Sequence, residues 1–138
     1  MREILFRGKR LDNGEWVQGY YDRWRENIYI TENYHNTSMR TRFAVDPATV
    51  GQFTGFTVNG TKVFEGDIIS VFDVNETHGV TEFIGEVFMD SGSWLVSQSK
   101  TCDWYLHYLR DGRHSLDEVK VIGNIHDNPE LIGGADNG

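Results

Sequence analysis

From Val45 to Val71 the chain reads VDPATVGQFTGFTVNGTKVFEGDIISV. Turn-forming residues cut its apolar stretches every few positions, which leaves no window long enough for a helix of ordinary length. Asn59-Gly60 is a hairpin dipeptide, because both central positions of a type I′ turn need positive φ. It joins Phe56-Thr57-Val58 to Thr61-Lys62-Val63-Phe64, and Glu65-Gly66-Asp67 then turns the chain into Ile68-Ile69-Ser70-Val71-Phe72. Upstream, Asp46 precedes Pro47, the arrangement of a capped single helical turn, and Gly51 is expected to end it. The stretch predicts short antiparallel strands.

The same reading extends both ways along the chain. Ile4-Leu5-Phe6 opens a strand, Asp12-Asn13-Gly14 turns it, with Asn13-Gly14 again read as a type I′ hairpin dipeptide, and Glu15 to Tyr21 returns as its partner. Asn27 to Thr31 is a third strand, rich in β-branched and aromatic residues. Glu32 to Arg42 is polar without periodicity and reads as a surface loop. Downstream, strands are expected at Thr81 to Met89, at Ser93 to Ser97 after the turn Asp90-Ser91-Gly92, and at Val119 to Ile125. Cys102 to Leu109 fits strand or helix equally well, and Ser115 reads as the cap of a single turn through Leu116-Asp117-Glu118. Strands so short and so regularly spaced suggest a small barrel in the second half. Segment 133–138 reads as a flexible tail.

Charge and size narrow the function classes. The 138 residues carry a net charge of -8, unevenly spread. Residues 1–55 hold eight Lys/Arg against seven Asp/Glu, and residues 56–138 five against fourteen. So acidic a second half repels phosphate backbones, which disfavours whole-surface nucleic-acid binding. No apolar run approaches the length of a membrane-spanning helix. The opening MREILFRGKR, charged on both sides of its apolar patch, is not patterned as a signal peptide. Cys102 is the single cysteine, so no intrachain disulfide forms, and a cytoplasmic location is expected.

The residues that invite chemistry mostly have simpler readings. Gly51-Gln52-Phe53-Thr54-Gly55 has Phe56-Thr57 where a phosphate loop needs Lys-Ser/Thr, and it lacks the spacing of a dinucleotide loop. Its glycines read as backbone-conformation sites. Glu65 and Asp67 flank Gly66, but no third ligand follows at a metal-binding spacing, and a turn explains them. His35, His78, His107, His114 and His126 have no ligand spacing. No nucleophile elbow is present, and Asp127-Asn128-Pro129 beside His126 reads as a turn. The expectation is no catalytic residue, no cofactor and no metal.

One surface stands apart. Arg7 and Lys9 on the first strand, Trp16 and Tyr20 on the second, and Arg23 and Arg25 at its end form a basic and aromatic group. Period-two alternation puts Arg7 with Lys9, and Arg23 with Arg25, on shared faces. Interleaved cations and rings are what single-stranded nucleic acid uses, yet Glu3, Asp12, Glu15, Asp22 and Glu26 bring the region close to neutrality. The plain reading is a salt-bridged outer sheet face with the aromatics in the core; the six residues are the candidate partner-binding face, for a protein or for single-stranded nucleic acid.

The spelling of five blocks goes further. Phe6-Arg7-Gly8-Lys9, Trp16 with Gly19, Thr49 to Gly55, Glu65-Gly66-Asp67-Ile68, and Ile122 to Leu131 (IGNIHDNPEL) resemble, in order, the YopX family of small phage and prophage proteins. The resemblance implies a mostly-β protein: an N-terminal antiparallel β subdomain over 1–55, then an SH3-like β-barrel over 56–132, with one or two short helical turns. It carries over no catalytic residue. The expected function is a non-enzymatic accessory module that binds a host or phage macromolecule, a protein first. The alternatives are a single-stranded nucleic-acid binder using the N-terminal face, or an acidic nucleic-acid mimic using the carboxylates of residues 65–130. Self-association through exposed edges is expected as well.

Overall fold

The computed structural model describes residues 4–33, 40–77, 79–99, 102–110 and 116–132. The chain divides into two compact units, Met1–Gly55 and Phe56–Gly138. Strands dominate both. Six of them, β1 (Phe6–Lys9), β2 (Trp16–Trp24), β3 (Asn27–Asn33), β4 (Arg40–Val45), β5 (Gly51–Val58) and β6 (Thr61–Phe64), form an antiparallel sheet ordered β4-β3-β2-β1-β5-β6. Five more, β7 (Asp67–Asn75), β8 (Gly79–Asp90), β9 (Ser93–Ser99), β10 (Cys102–Tyr105) and β11 (Glu118–Asn124), are ordered β10-β9-β8-β7-β11.

In the first unit, β2 changes partner halfway. Residues 16–19 pair with β1 and residues 20–24 with β3. Gly19 sits at the changeover, where a Cβ would collide with the Thr31 carbonyl oxygen. Val17, Ile28, Ile30 and Val45 are buried together, with Phe6, Phe43 and Val50 packed against them. A 3-10 turn, Pro47–Thr49, follows β4. Asp46 caps it by accepting from the Ala48 N–H at 3.0 Å, as the Asp-Pro pair predicts. Thr49 ties the turn to β1 by accepting from the Lys9 N–H at 2.9 Å.

The glycine readings need two corrections. Val50, not Gly51, ends the 3-10 turn; Gly51 is the first residue of β5, and of Gly51 and Gly55 only Gly55 has positive φ, at 88°. Asn59 and Gly60 both have positive φ, 51° and 78°, as a type I′ turn requires. At Asn13-Gly14 only the glycine does. The chain there forms a longer loop, closed by the Arg10 N–H on the Glu15 carbonyl and the Gly14 N–H on that of Arg10.

In the second unit, Val58, Val63, Ile69, Val71, Phe83, Val87, Val96, Leu106 and Leu109 build the core. Gly66, at φ 92°, turns the chain into β7, and buried Asp67 accepts from the Phe64 N–H at 2.8 Å. The expected barrel does not close. Among the described residues the five-stranded sheet is open, with β10 and β11 at its edges, and β6 hydrogen-bonds to β5, not to a strand of this sheet.

Three local expectations change. The predicted loop over 32–42 is strand at both ends, with Glu32 and Asn33 in β3 and Arg40 to Arg42 in β4. The helical turn expected at Leu116 to Glu118 is absent, and Glu118 already pairs with Phe72. Cys102 to Leu109 is both of its readings in succession, β10 and then a 3-10 turn over Leu106–Tyr108. With Pro129–Leu131 this makes three short helical turns among the described residues. Ser115, His35, His78, His114, segment 34–39 and the tail over 133–138 lie outside the described residues. No helix among the described residues is long and apolar enough to cross a membrane.

Candidate partner-binding face

Directly paired residues of an antiparallel sheet share a face. The pairs Arg7↔Gln18, Lys9↔Trp16, Tyr20↔Thr31, Asp22↔Tyr29 and Thr31↔Arg42 therefore lay one continuous surface across β1 to β4. It is opposite the face that carries Val17, Ile28, Ile30 and Val45. Four of the six predicted residues, Arg7, Lys9, Trp16 and Tyr20, are brought together on it. Arg23 pairs with Ile28 and falls on the other face. Arg25 is not on a strand: β2 ends at Trp24, and Arg25 occupies the loop to β3 with φ 60°. The expected pairing of Arg23 with Arg25 fails because alternation stops where the strand stops.

The face is organised by cations lying on rings. The Arg7 guanidinium lies 4.7 Å and the Lys9 ammonium 5.5 Å from the Trp16 ring centre. Arg42 lies 3.8 Å from the centre of Tyr29 and 4.0 Å from the Asp22 carboxylate. Between these pairs Tyr20 stands in solvent, 56 % exposed; Trp24, at the end of β2 and equally exposed, has the Arg25 guanidinium 5.5 Å from its ring centre. Arg10, adjacent in sequence, is committed elsewhere. It grips Asp12 with Nε at 2.9 Å and a terminal nitrogen at 2.6 Å, and lies over Phe43 at 4.3 Å. That guanidinium holds the Asp12 carboxyl below the usual carboxylate range.

Sequence reasoning missed Arg42 and Tyr29 as members of this face. Arg42 falls inside the expected loop, although the alternation of Thr41-Arg42-Phe43-Ala44-Val45 is a legible strand signal. Tyr29 lies within the expected third strand, but the sequence alone does not say which face it takes.

The other motif residues converge on the architecture. Glu65-Gly66-Asp67 and the IGNIHDNPEL block meet in space: Asn124 pairs with Asp67, and the Ile125 N–H donates to the Gly66 carbonyl at 2.9 Å. The Asn124 side-chain oxygen accepts from the backbone N–H groups of His126 and Asp127, both at 2.9 Å, and its amide nitrogen donates to the Asp127 carboxylate at 3.1 Å. Those contacts fold a turn. Among the described residues, no three His, Cys, Asp or Glu side chains gather where a metal ion could be held.

The profile of the YopX protein family matches residues 5–133. A search of solved structures finds the crystal structure of protein EF1440 from Enterococcus faecalis, similar with a TM-score of 0.52 and 23 % identity over 96 % of this chain and 99 % of that one. At that identity the likeness concerns the fold. No curated protein is similar to the chain by sequence.

Proposed function

The chain belongs to the YopX family, and from that premise we propose that it is a non-enzymatic binding module whose β1–β4 face docks a protein partner. One observation carries the choice of partner: cations cover ring faces of Trp16, Trp24 and Tyr29, while Tyr20 stands open in solvent. A single-stranded nucleic acid needs bare rings to stack on and cations free for phosphate. A protein interface uses exposed Trp, Tyr and Arg as its anchors. Asp22, within the same face, adds a charge that phosphate avoids.

The family likeness supports a phage or prophage accessory role in the cytoplasm of a bacterial host, on a host or phage protein. It also supports an SH3-like arrangement for the second unit, although fold alone does not assign function. Self-association through a sheet edge is compatible with this reading, and light scattering against the 15.9 kDa chain mass tests it.

The deciding experiment has two arms. Nuclease-treated host lysate is passed over the wild-type chain and over Tyr20→Ala/Trp24→Ala, and labelled oligo(dT) is titrated separately by fluorescence anisotropy. The reading expects a defined protein retained by wild type and weakened about thirtyfold or more by the double variant, the size of a hot-spot loss. Oligo(dT) binding that falls steeply with salt and is lost in Arg7→Ala/Lys9→Ala would replace it with the nucleic-acid reading. Target binding that disappears when carboxylates of residues 65–130 are neutralised would replace it with nucleic-acid mimicry.

A further inference from the structure

The β7–β8 ribbon of the second unit has an outer face of unusual composition. Along β7, Val71 and Asp73 are buried while Phe72 and Val74 are exposed; along β8, Phe83 and Val87 are buried while Val80, Glu82 and Ile84 are exposed. A strand with one solvated face normally turns polar residues outward. Here Phe72, Val74, Val80 and Ile84 face water with 37, 56, 64 and 44 % of their surface open. The register makes them one patch: Val74 pairs with Val80, and Ser70, next to Phe72 on the same face, pairs with Ile84.

Carboxylates dominate the rim of this patch. Phe72 lies in register between Glu82 on β8 and Glu118 on β11. Glu86 follows Ile84 on the same face, and exposed Glu76 lies just past the end of β7. Lys120 opposes them, but it stands 3.7 Å from the Glu118 carboxylate. We propose that this face is a docking surface for a cationic amphipathic protein segment, apolar along one side and flanked by Lys or Arg.

The rim decides among occupants. A second copy docking symmetrically would bring the same patch against itself, and with it carboxylate against carboxylate. Nucleic acid and an anionic lipid surface meet the same repulsion. A segment with basic flanks pairs with Glu82 and Glu118 while its apolar side covers Phe72, Val74, Val80 and Ile84. Binding here does not depend on the β1–β4 face.

The test uses the full chain with two designed 14-residue helical peptides of identical pattern, one Leu/Lys and one Leu/Glu, followed by amide NMR shifts. The Leu/Lys peptide is expected to bind, with shifts concentrated on 70–86 and 118–120, and the Leu/Glu peptide is not. Val74→Thr/Val80→Thr, at two exposed positions that leave the melting temperature unchanged, weakens binding about tenfold. Glu82→Gln/Glu118→Gln weakens it several-fold and flattens its salt dependence. Equal binding of both peptides, shifts elsewhere, no binding, or indifference to the variants overturns the proposal. So does a concentration-dependent dimer dissolved by Val74→Thr/Val80→Thr, which makes a second copy the occupant.

Discussion

Arg25 holds φ 60° in the two-residue loop between Trp24 and Asn27, a conformation that costs an L-residue with a Cβ roughly 1–2 kcal/mol. Arg25→Gly is therefore expected to stabilise the first unit by about 1 kcal/mol, read as a shift of the denaturant midpoint. Gly19 makes the opposite case. Its φ is ordinary, but a methyl group there collides with the Thr31 carbonyl, so Gly19→Ala is expected to cost about 1–3 kcal/mol through the displaced backbone. Glu86 sets a pH dependence. Burial first, and then the charge of Glu65, raise its carboxyl above the ordinary value. A carboxyl raised in the folded state costs stability wherever it is ionised. The cost is full above the raised value and vanishes once pH falls below the ordinary one. Glu86→Gln should melt higher than wild type at about pH 7 and equal to it at about pH 3.

At the scale of elements, short side-chain bridges hold the second sheet together. Buried Asp67 accepts from the Phe64 N–H, which ties the end of β6 to the start of β7 across Gly66. Asp73 accepts from the Asp117 N–H at 3.0 Å while the Asp117 carboxylate accepts from the Val74 N–H at 2.8 Å, a reciprocal clasp between β7 and the entry to β11. Removing a buried acceptor costs about 1–3 kcal/mol. Asp67→Ala is expected to lose that much global stability. Asp73→Ala is expected to speed amide exchange first at Glu118 and Val119, the end of β11 that the clasp secures. Much of this level is legible beforehand. Asn59-Gly60 announces its hairpin, Asp46-Pro47 its capped turn and Glu65-Gly66-Asp67 its reversal, because each acts through hydrogen bonds and φ values within a few residues. Asn13-Gly14 misleads for the same reason: the dipeptide permits a tight turn, but the Arg10 and Glu15 backbone groups pair outside it and widen the loop.

Across the whole molecule, charge and fold carry different information. Residues 56–138, with five Lys/Arg against fourteen Asp/Glu, hold the negative charge of the chain, and its self-repulsion opposes compaction. Raising sodium chloride from low concentration to about 0.5 M is expected to raise the melting temperature, since screening relieves that repulsion; a flat or falling curve would show that local ion pairs dominate. The likeness to the Enterococcus faecalis protein runs over nearly the full length of both chains, so the arrangement of strands in each unit belongs to the whole sequence and not to one motif block.

What the sequence determined by itself is local. It specified a mostly-β chain, the positions of most strands and turns, and family membership through five motif blocks, all readable because period-two alternation and turn chemistry act over a few residues. The tertiary structure decided which residues are neighbours. Arg42 joins Asp22 and Tyr29, Arg23 leaves the face that Arg7 and Lys9 share, and the sheet of the second unit stays open. Each of those outcomes depends on where strands end and on how several of them pair at once. Such pairing is fixed by burying one face of many strands at once, a condition no single stretch of sequence contains.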